Sequence, residues 1–460
     1  MLYRFRPIDK LIGENYKELK DQYFFFASPH ALNDPLEGYV DFYWKADNIA
    51  WLGLFKNYAW QIYRTLESAM LQSSLDDMKK MYFTRTEIHL KETKLPQIRQ
   101  EIEKSFSDEP IINEISTILG ESDKEITQSV LHLILSLVHL LAVFHANKWF
   151  ENNGIQVFNS SDWLIKKAAL IRDTQYKEIT EIVKGILVNE KEAESILILD
   201  QSIRYDATTK IGDIPKEAEI SEYILFDFPD HYTKKVIDLA YADWQTVCFN
   251  RSYSDPKMWS HYANNHTGVC LIFDFKSTER IQLESLDASS DDKIKQLHIK
   301  PIDYTSSPLR INFFLTLGNL WGDERSHWFF HNGEKSTVLI SIFENVEKWR
   351  EEYWISFEKR FLRKGSAWKA EEEERLVLED TFYNHSSPDK KKYKYNFDKL
   401  HGIIFGINTK LSDKKKFIEI LKEKCIETSR ERFHVYQARY DAEKEAIVAD
   451  LVLVIKNTPN

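Results

Sequence analysis

Short apolar runs open the chain. LYRFR (2–6) predicts a strand, a helix follows from about Ile8, and QYFFFAS (22–28) predicts a second, aromatic strand. The loop PHALNDPLEG comes next, with Asn33, Asp34, Pro35 and Gly38 as its turn residues. From about residue 45 to about 241 the pattern changes: apolar residues recur three and four apart, as in WLIKKAALIRDTQYKEITEIVKGILV, and Gly and Pro are scarce, which predicts helices. Strand-type sequence returns from Trp244, in QTVCFN, VCLIFDF, IKPIDY, ERLVLED, HGIIFGI, RFHVYQARY and AIVADLVLVI. Several of these are unbroken apolar runs, as expected of strands buried on both faces. A helix is predicted over SDKKKFIEILKEKC with Ser412 as N-cap, and a second helical excursion over about Leu309 to Phe361.

The expected fold class is therefore α+β: a mixed β-sheet core with flanking helices, carrying a large all-helical insertion. The core would be discontinuous, residues 1–44 plus 242–460, with 45–241 as the insertion domain. A length of 460 residues fits more than one hydrophobic core.

Composition narrows the function classes. With 43% hydrophobic and 29% charged residues, a packed globular chain is expected, and 12 Trp, 22 Tyr and 28 Phe predict aromatic packing and pocket walls. The formal net charge of -10 opposes long-range attraction to a polyphosphate, so nucleic acid is not an expected partner. The three cysteines, Cys248, Cys270 and Cys425, form no CxxC pair, which fits a reducing compartment and offers no zinc site. The start MLYRFRPIDK has no apolar stretch of the secretory type, and a cytoplasmic location is expected. The apolar run of 129–150, interrupted by His132 and His139, reads as a buried helix rather than a membrane span.

Four constellations carry candidate chemistry. Arg4 and Arg6 lie two apart, so a strand points both guanidiniums to one face, where they either stand at an exposed edge or grip a diphosphate or carboxylate. In NDPLEGY, Asp34 and Glu37 either belong to a turn or face a pocket. In DPKMWSHYANNHTGVCLIFDF, Trp259 and Tyr262 share a helical face, and Ser260, His261, Asn264 and His266 crowd a connector. His261 and His266 are five apart, whereas the helical zinc signature needs four, so no metal is expected there. The fourth is KGSAWKAEEEERLVLED. As a strand from Glu371 it would put Glu371, Glu373 and Arg375 on one face; as a helix it would crowd like charges and need solvent.

The blocks LYRFRPID…YFFFASPHALNDPLEG, VCFN…MWSHYANNHTGVCLIFDF, the K-x3-W-x2-E-x-E-x-R run from Lys364 to Arg375, and HGIIFG resemble, in that order, the signatures of an uncharacterised bacterial family, domain of unknown function 2971. Asn250 stands where the family usually has serine, and the insertion is far longer than the family pattern needs. The resemblance implies an association with bacterial antiphage defence or toxin-like loci. It also implies one site shared by Arg4 and Arg6, the Trp259–Tyr262 turn, and Glu371, Glu373 and Arg375. That order of residues is similar to the ADP-ribosyltransferase layout.

Under that layout the expected activity is NAD consumption by an ADP-ribosyltransferase or NAD glycohydrolase, with NAD as substrate and no metal. Glu373 would stabilise an oxocarbenium-like state, Glu371 would be its acid/base assistant, and His261 a further catalytic group. Arg4 and Arg6 would clamp the pyrophosphate, Trp259 or Tyr262 would stack on nicotinamide, Ser260 would line the site, and Arg375 would orient the acids. Two other classes stay open: a metal-dependent nuclease or phosphohydrolase using Asp34, Glu37, Glu371 and Glu373, and a non-enzymatic ligand sensor whose helical insertion docks a protein partner.

Overall fold

A computed structural model describes residues 1–71, 74–79, 94–157, 176–189, 216–287, 293–305, 307–380 and 388–457, together with residues 166, 168, 169, 171, 172, 195 and 198. It is a mixed α+β protein in two compact units. The first comprises Met1–Tyr39, Ala242–Leu309 and Ser356–Asn460; the second comprises Val40–Tyr241 and Arg310–Ile355. The helical excursion after Leu309 therefore belongs mostly with the second unit.

Fifteen strands occur among the described residues. They are β1 (Leu2–Arg6), β2 (Tyr23–Phe25), β3 (Val40–Tyr43), β4 (Asp243–Asn250), β5 (Val269–Phe273), β6 (Arg280–Ser285), β7 (Ile294–Pro301) and β8 (Leu309–Asn312). β9 (Phe330–His331), β10 (Glu334–Lys335), β11 (Glu373–Asp380), β12 (Lys392–Lys394), β13 (Leu400–Phe405), β14 (Arg432–Asp441) and β15 (Ala446–Lys456) complete the set.

In the first unit eleven strands form one sheet in the order β15-β14-β13-β5-β1-β4-β11-β7-β6-β12-β2. Only the β13–β14 pair is parallel. After β2 the chain returns to the sheet, because Ala27 and Thr246 exchange backbone hydrogen bonds of 2.9 and 2.8 Å. The strands from β4 to β2 thus curl towards closure around an apolar interior that includes Phe24, Phe249, Ile281, Leu283, Ile299, Leu376 and Tyr393. The other sheet face between β1 and β14 carries a smaller cluster of Phe5, Trp259, Cys270, Ile272, Ile404 and Ala438.

The predicted helix after β13 spans Leu411–Glu427 and begins two residues earlier than expected. Lys410 is its N-cap, without a side-chain bond, and Ser412 lies inside the first turn. β6, whose RIQLES alternates buried and exposed positions, was not anticipated.

The second unit is helical. Its Asn48–Met70 helix is capped by Asp47, whose carboxylate accepts from Ala50 N at 3.0 Å. The apolar run forms a helix, Gln128–Asn152, long and apolar enough to cross a membrane, and two-thirds of its most apolar window is buried. His139 is satisfied there: Nδ1 meets the Tyr58 hydroxyl at 2.7 Å and Nε2 the Ile224 carbonyl at 2.8 Å. A buried charge cluster, Arg99 with Glu103 and Glu324, ties this unit together.

Candidate functional site: a buried carboxylate–cation network

The acidic block is neither of its two expected forms throughout. Ser366–Glu371 is a 3-10 turn, Glu372 sits in the left-handed region at φ 42°, and the strand begins only at Glu373. From there period-two alternation decides the faces. β11 pairs with β4 in the register Glu373↔Asn250, Arg375↔Cys248, so these four residues share a face. Leu376 and Leu378 turn instead into the apolar interior with Val247 and Phe249.

The left-handed step at Glu372 folds Glu371 back beside Glu373, and both reach one lysine. Lys364 Nζ donates to Glu371 Oε2 at 2.5 Å and to Glu373 Oε2 at 3.1 Å, with the Trp368 ring 4.7 Å away. Arg375 is fully buried, and its fork is fully used. It donates to Glu373 at 2.6 and 3.0 Å, to Glu37 at 2.6 and 2.9 Å, and to the Phe361 carbonyl at 2.8 Å. Bidentate pairing of this kind is the strongest arrangement available to a guanidinium and a carboxylate.

Tyr262 arrives from the short helix Pro256–Tyr262, which Asp255 caps by accepting from Lys257 N at 2.8 Å. Its hydroxyl donates to Glu371 Oε1 at 2.5 Å. The Asn250 amide donates to the Glu371 carbonyl at 2.7 Å, and the Tyr304 hydroxyl accepts from Glu373 N at 2.9 Å. Tyr262, Tyr304 and Trp368 are half-buried and form the solvent-side rim of the cluster.

The two carboxyl groups are driven apart. Burial alone would raise Glu373, but the charge and hydrogen bonds of Arg375, aided by Lys364, hold it down at about 2. At Glu371 burial prevails over Lys364 and Tyr262, and its pKa lies above the ordinary carboxylate value. Burial, then the charge of Glu371, pushes the Tyr262 phenol up, so it stays a donor. Three carboxylates face two cations, and Glu371 is the member with least claim on a positive charge.

The expected site assembles only in part. Glu371, Glu373, Arg375 and Tyr262 come together. The arginine clamp does not: Tyr3 pairs with Asn250, and Asn250 with Glu373, so Tyr3 and Phe5 share the face of Glu373 while Arg4 and Arg6 point to the opposite one. Arg6 pairs with buried Glu18. Arg4 lies between the Phe24 and Phe249 rings, burial drags its pKa down to about 10, and it donates to the Cys248 carbonyl at 3.1 Å.

That bond explains its place. β1 and β4 part after the single pair Tyr3↔Asn250, and further along the same edge of β4 Thr246 is taken by Ala27. Arg4 fills the gap between them as a wedge.

The remaining candidates also stand apart. Trp259 is fully buried, edge-on to Phe5 at 5.1 Å, with its indole N–H on the Tyr253 carbonyl at 2.7 Å, so its ring is not free to stack. The Ser260 hydroxyl donates to Asn265 Oδ1 at 3.1 Å, and His261 is exposed while its neighbour Tyr262 reaches the acids. Asp34 accepts from Leu36 N at 2.9 Å and starts a turn. Since Glu37, Glu371 and Glu373 already hold protein cations, the proposed magnesium donors are occupied. Among the described residues no cluster of three or more His, Cys, Asp or Glu could hold a metal ion.

Lys364 and Tyr304 were not anticipated, and Glu37 was placed only with the metal reading. Lys364 opens the K-x3-W-x2-E-x-E-x-R run, so its spacing from the acids was a usable signal.

Residues 258–376, which carry Tyr262, Lys364, Glu371, Glu373 and Arg375, match the family described as "protein of unknown function (DUF2971)". That stretch is similar to DUF2971. No curated protein and no solved structure gives a significant match. In the large sheet the DUF2971 match covers β5, β6, β7 and the first half of β11, with most of the charge network, but not Glu37 or β4.

Proposed function

We propose that the network is the centre of an NAD-consuming enzyme that breaks the nicotinamide–ribose bond, with Glu371 as base and Glu373 as a permanent carboxylate. The observation that carries this reading is the opposed tuning of two carboxyl groups that share one lysine. Paired groups with diverging pKa values are how acid–base sites divide their tasks. As the C–N bond breaks, its electron pair leaves on the nicotinamide ring nitrogen, and Glu373 offsets the charge growing on the ribose. Water or an acceptor hydroxyl then bonds to the ribose carbon and yields its proton to Glu371, whose raised pKa strengthens it as a base.

Tyr262 takes over nicotinamide contact from Trp259, releasing Glu371 as it does so. Arg4, Arg6 and His261 have no part in this version. Incubation of the pure protein with NAD should release nicotinamide, and Glu371→Gln should abolish release while leaving the thermal midpoint nearly unchanged.

A second reading is favoured by the occupancy of Glu373, both of whose oxygens accept from Arg375 or Lys364. In it the network is a non-catalytic clamp beside a ligand-sensing surface. Absence of nicotinamide release by the wild-type protein, with water or with protein acceptors, would decide for the clamp.

A further inference from the structure

A second site lies where the curled sheet fails to zip. β6 pairs with β7 along most of its length, but with β12 only at Glu284↔Lys394 and Ser285↔Tyr393. Beyond Lys394 the chain turns through Phe397–Lys399 and leaves β6 unpartnered on that side from Arg280 to Leu283. The split opens a cavity of about 480 Å³, within the range of small-ligand sites. Its inner wall is apolar, with Tyr395 and buried neighbours from β6, and buried Gln22 is fixed there by donating to the Tyr395 carbonyl.

The mouth is basic on a chain whose net charge is -10. Arg280, Lys394 and Lys399 line it against one acid, Glu284. Among the described residues Arg280 donates only from its Nε, to His298 Nε2 at 2.7 Å, and Lys399 shares its charge with Glu279 at 2.7 Å. Lys394 makes no ion pair among the described residues. The hydroxyl of Tyr395, a residue only 2% exposed, has no hydrogen-bond partner among the described residues, and the charges that act on it are those of Glu18 and Arg4.

We propose that this cavity binds a small phosphomonoester of mononucleotide size, its phosphate held by Arg280, Lys394 and Lys399 and its organic part against the apolar wall. Several lysine and arginine donors converging on one opening suit a phosphate dianion, and Glu284 is placed to accept from a ligand hydroxyl. The site is separate from the Glu371–Glu373 network and does not depend on its chemistry.

Isothermal titration of the full chain with AMP, inorganic phosphate and adenosine at low ionic strength tests this. AMP should bind tighter than either fragment, and Lys394→Ala/Lys399→Ala should weaken it about tenfold or more. Both lysines are at the surface, and an unchanged thermal midpoint would show that the double variant is folded. The proposal is overturned if AMP shows no heat up to about 10 mM, where binding would be negligible. It is equally overturned if the double variant binds AMP as the wild type does, or if inorganic phosphate or adenosine binds as tightly as AMP. Nicotinamide release by the double variant should match the wild type, which keeps the outcome independent of the NAD reading.

Discussion

Replacing Arg375 with Met removes the charge that holds the network together and leaves its volume largely filled. Glu37 and Glu373 would then lie buried without the four hydrogen bonds they accept from the guanidinium, the Phe361 carbonyl would lose a fifth, and of the two acids only Glu373 would keep a cation, Lys364. Stripping one partner from a buried ion pair costs about 3–5 kcal/mol. The titration of Glu373 gives a second measure: lowering its pKa from 4.5 to about 2 corresponds to about 3 kcal/mol of native-state stabilisation at neutral pH.

The sign follows from the depressed pKa. This stabilisation is present above the unfolded value of 4.5 and is lost as pH falls towards about 2. Glu371 works the other way, since its raised pKa favours the folded state at low pH and that advantage fades as pH rises above 4.5. The wild type should therefore lose stability on acidification from 4.5 towards 2, and Arg375→Met should be weaker by about 3–5 kcal/mol at neutral pH with a much flatter acid limb. Urea titrations across that pH range, followed by tryptophan fluorescence, measure both quantities; Trp244 lies 5.9 Å from the Arg375 guanidinium and reports locally. A neutral-pH loss below about 1 kcal/mol, or an unchanged acid limb, would show that the network is not the clamp its geometry describes.

Other outcomes follow from single contacts. Tyr262→Phe removes a donor from Glu371, so its pKa should climb further, and the acidic limb of nicotinamide release should move to higher pH; an unmoved limb would free Glu371 of the base role. Arg4→Met should cost about 1–3 kcal/mol, because the Cys248 carbonyl loses its partner, yet leave NAD affinity unchanged; a tenfold fall in affinity at constant stability would restore the clamp and remove the wedge. Gly53→Ala should destabilise the helical unit by about 1–3 kcal/mol or more, because the new methyl would fall 2.0 Å from the Trp328 carbonyl oxygen; limited proteolysis reads this, and wild-type resistance would contradict the close approach.

Much of the sheet was legible in the sequence. β4, β5, β11 and β13 follow apolar runs that the sheet's interior buries, whereas the apolar run of β15 lies on an edge strand with Leu451 and Val452 exposed. β6 escaped because its alternation is carried by only two buried residues, Ile281 and Leu283. The pairing of Arg4 and Arg6 on one face was readable from period two; which face was not, since it depends on two long-range registers through Asn250. Likewise the left-handed Glu372 brings Glu371 and Glu373 together through a turn, where a continuous strand had been expected to do so. Lys364 could have been found from its place in the motif, whereas Tyr304 contributes through the reach of its hydroxyl to a backbone amide, which no spacing encodes.

The unit that carries the network is sewn from three separate stretches of chain, and this limits how the protein can be divided. A clone cut to 258–376 would retain only the first half of β11, without β4, the neighbour that sets its register, and would keep Arg375 without Glu37. Such a fragment would leave Arg375 with Glu373 but without its second carboxylate, and would expose a raw sheet edge, so insolubility on expression would say nothing about activity. Fusing 1–39 to 242–460 across the excised 40–241 stretch is the shorter design that keeps every member of the cluster on one polypeptide.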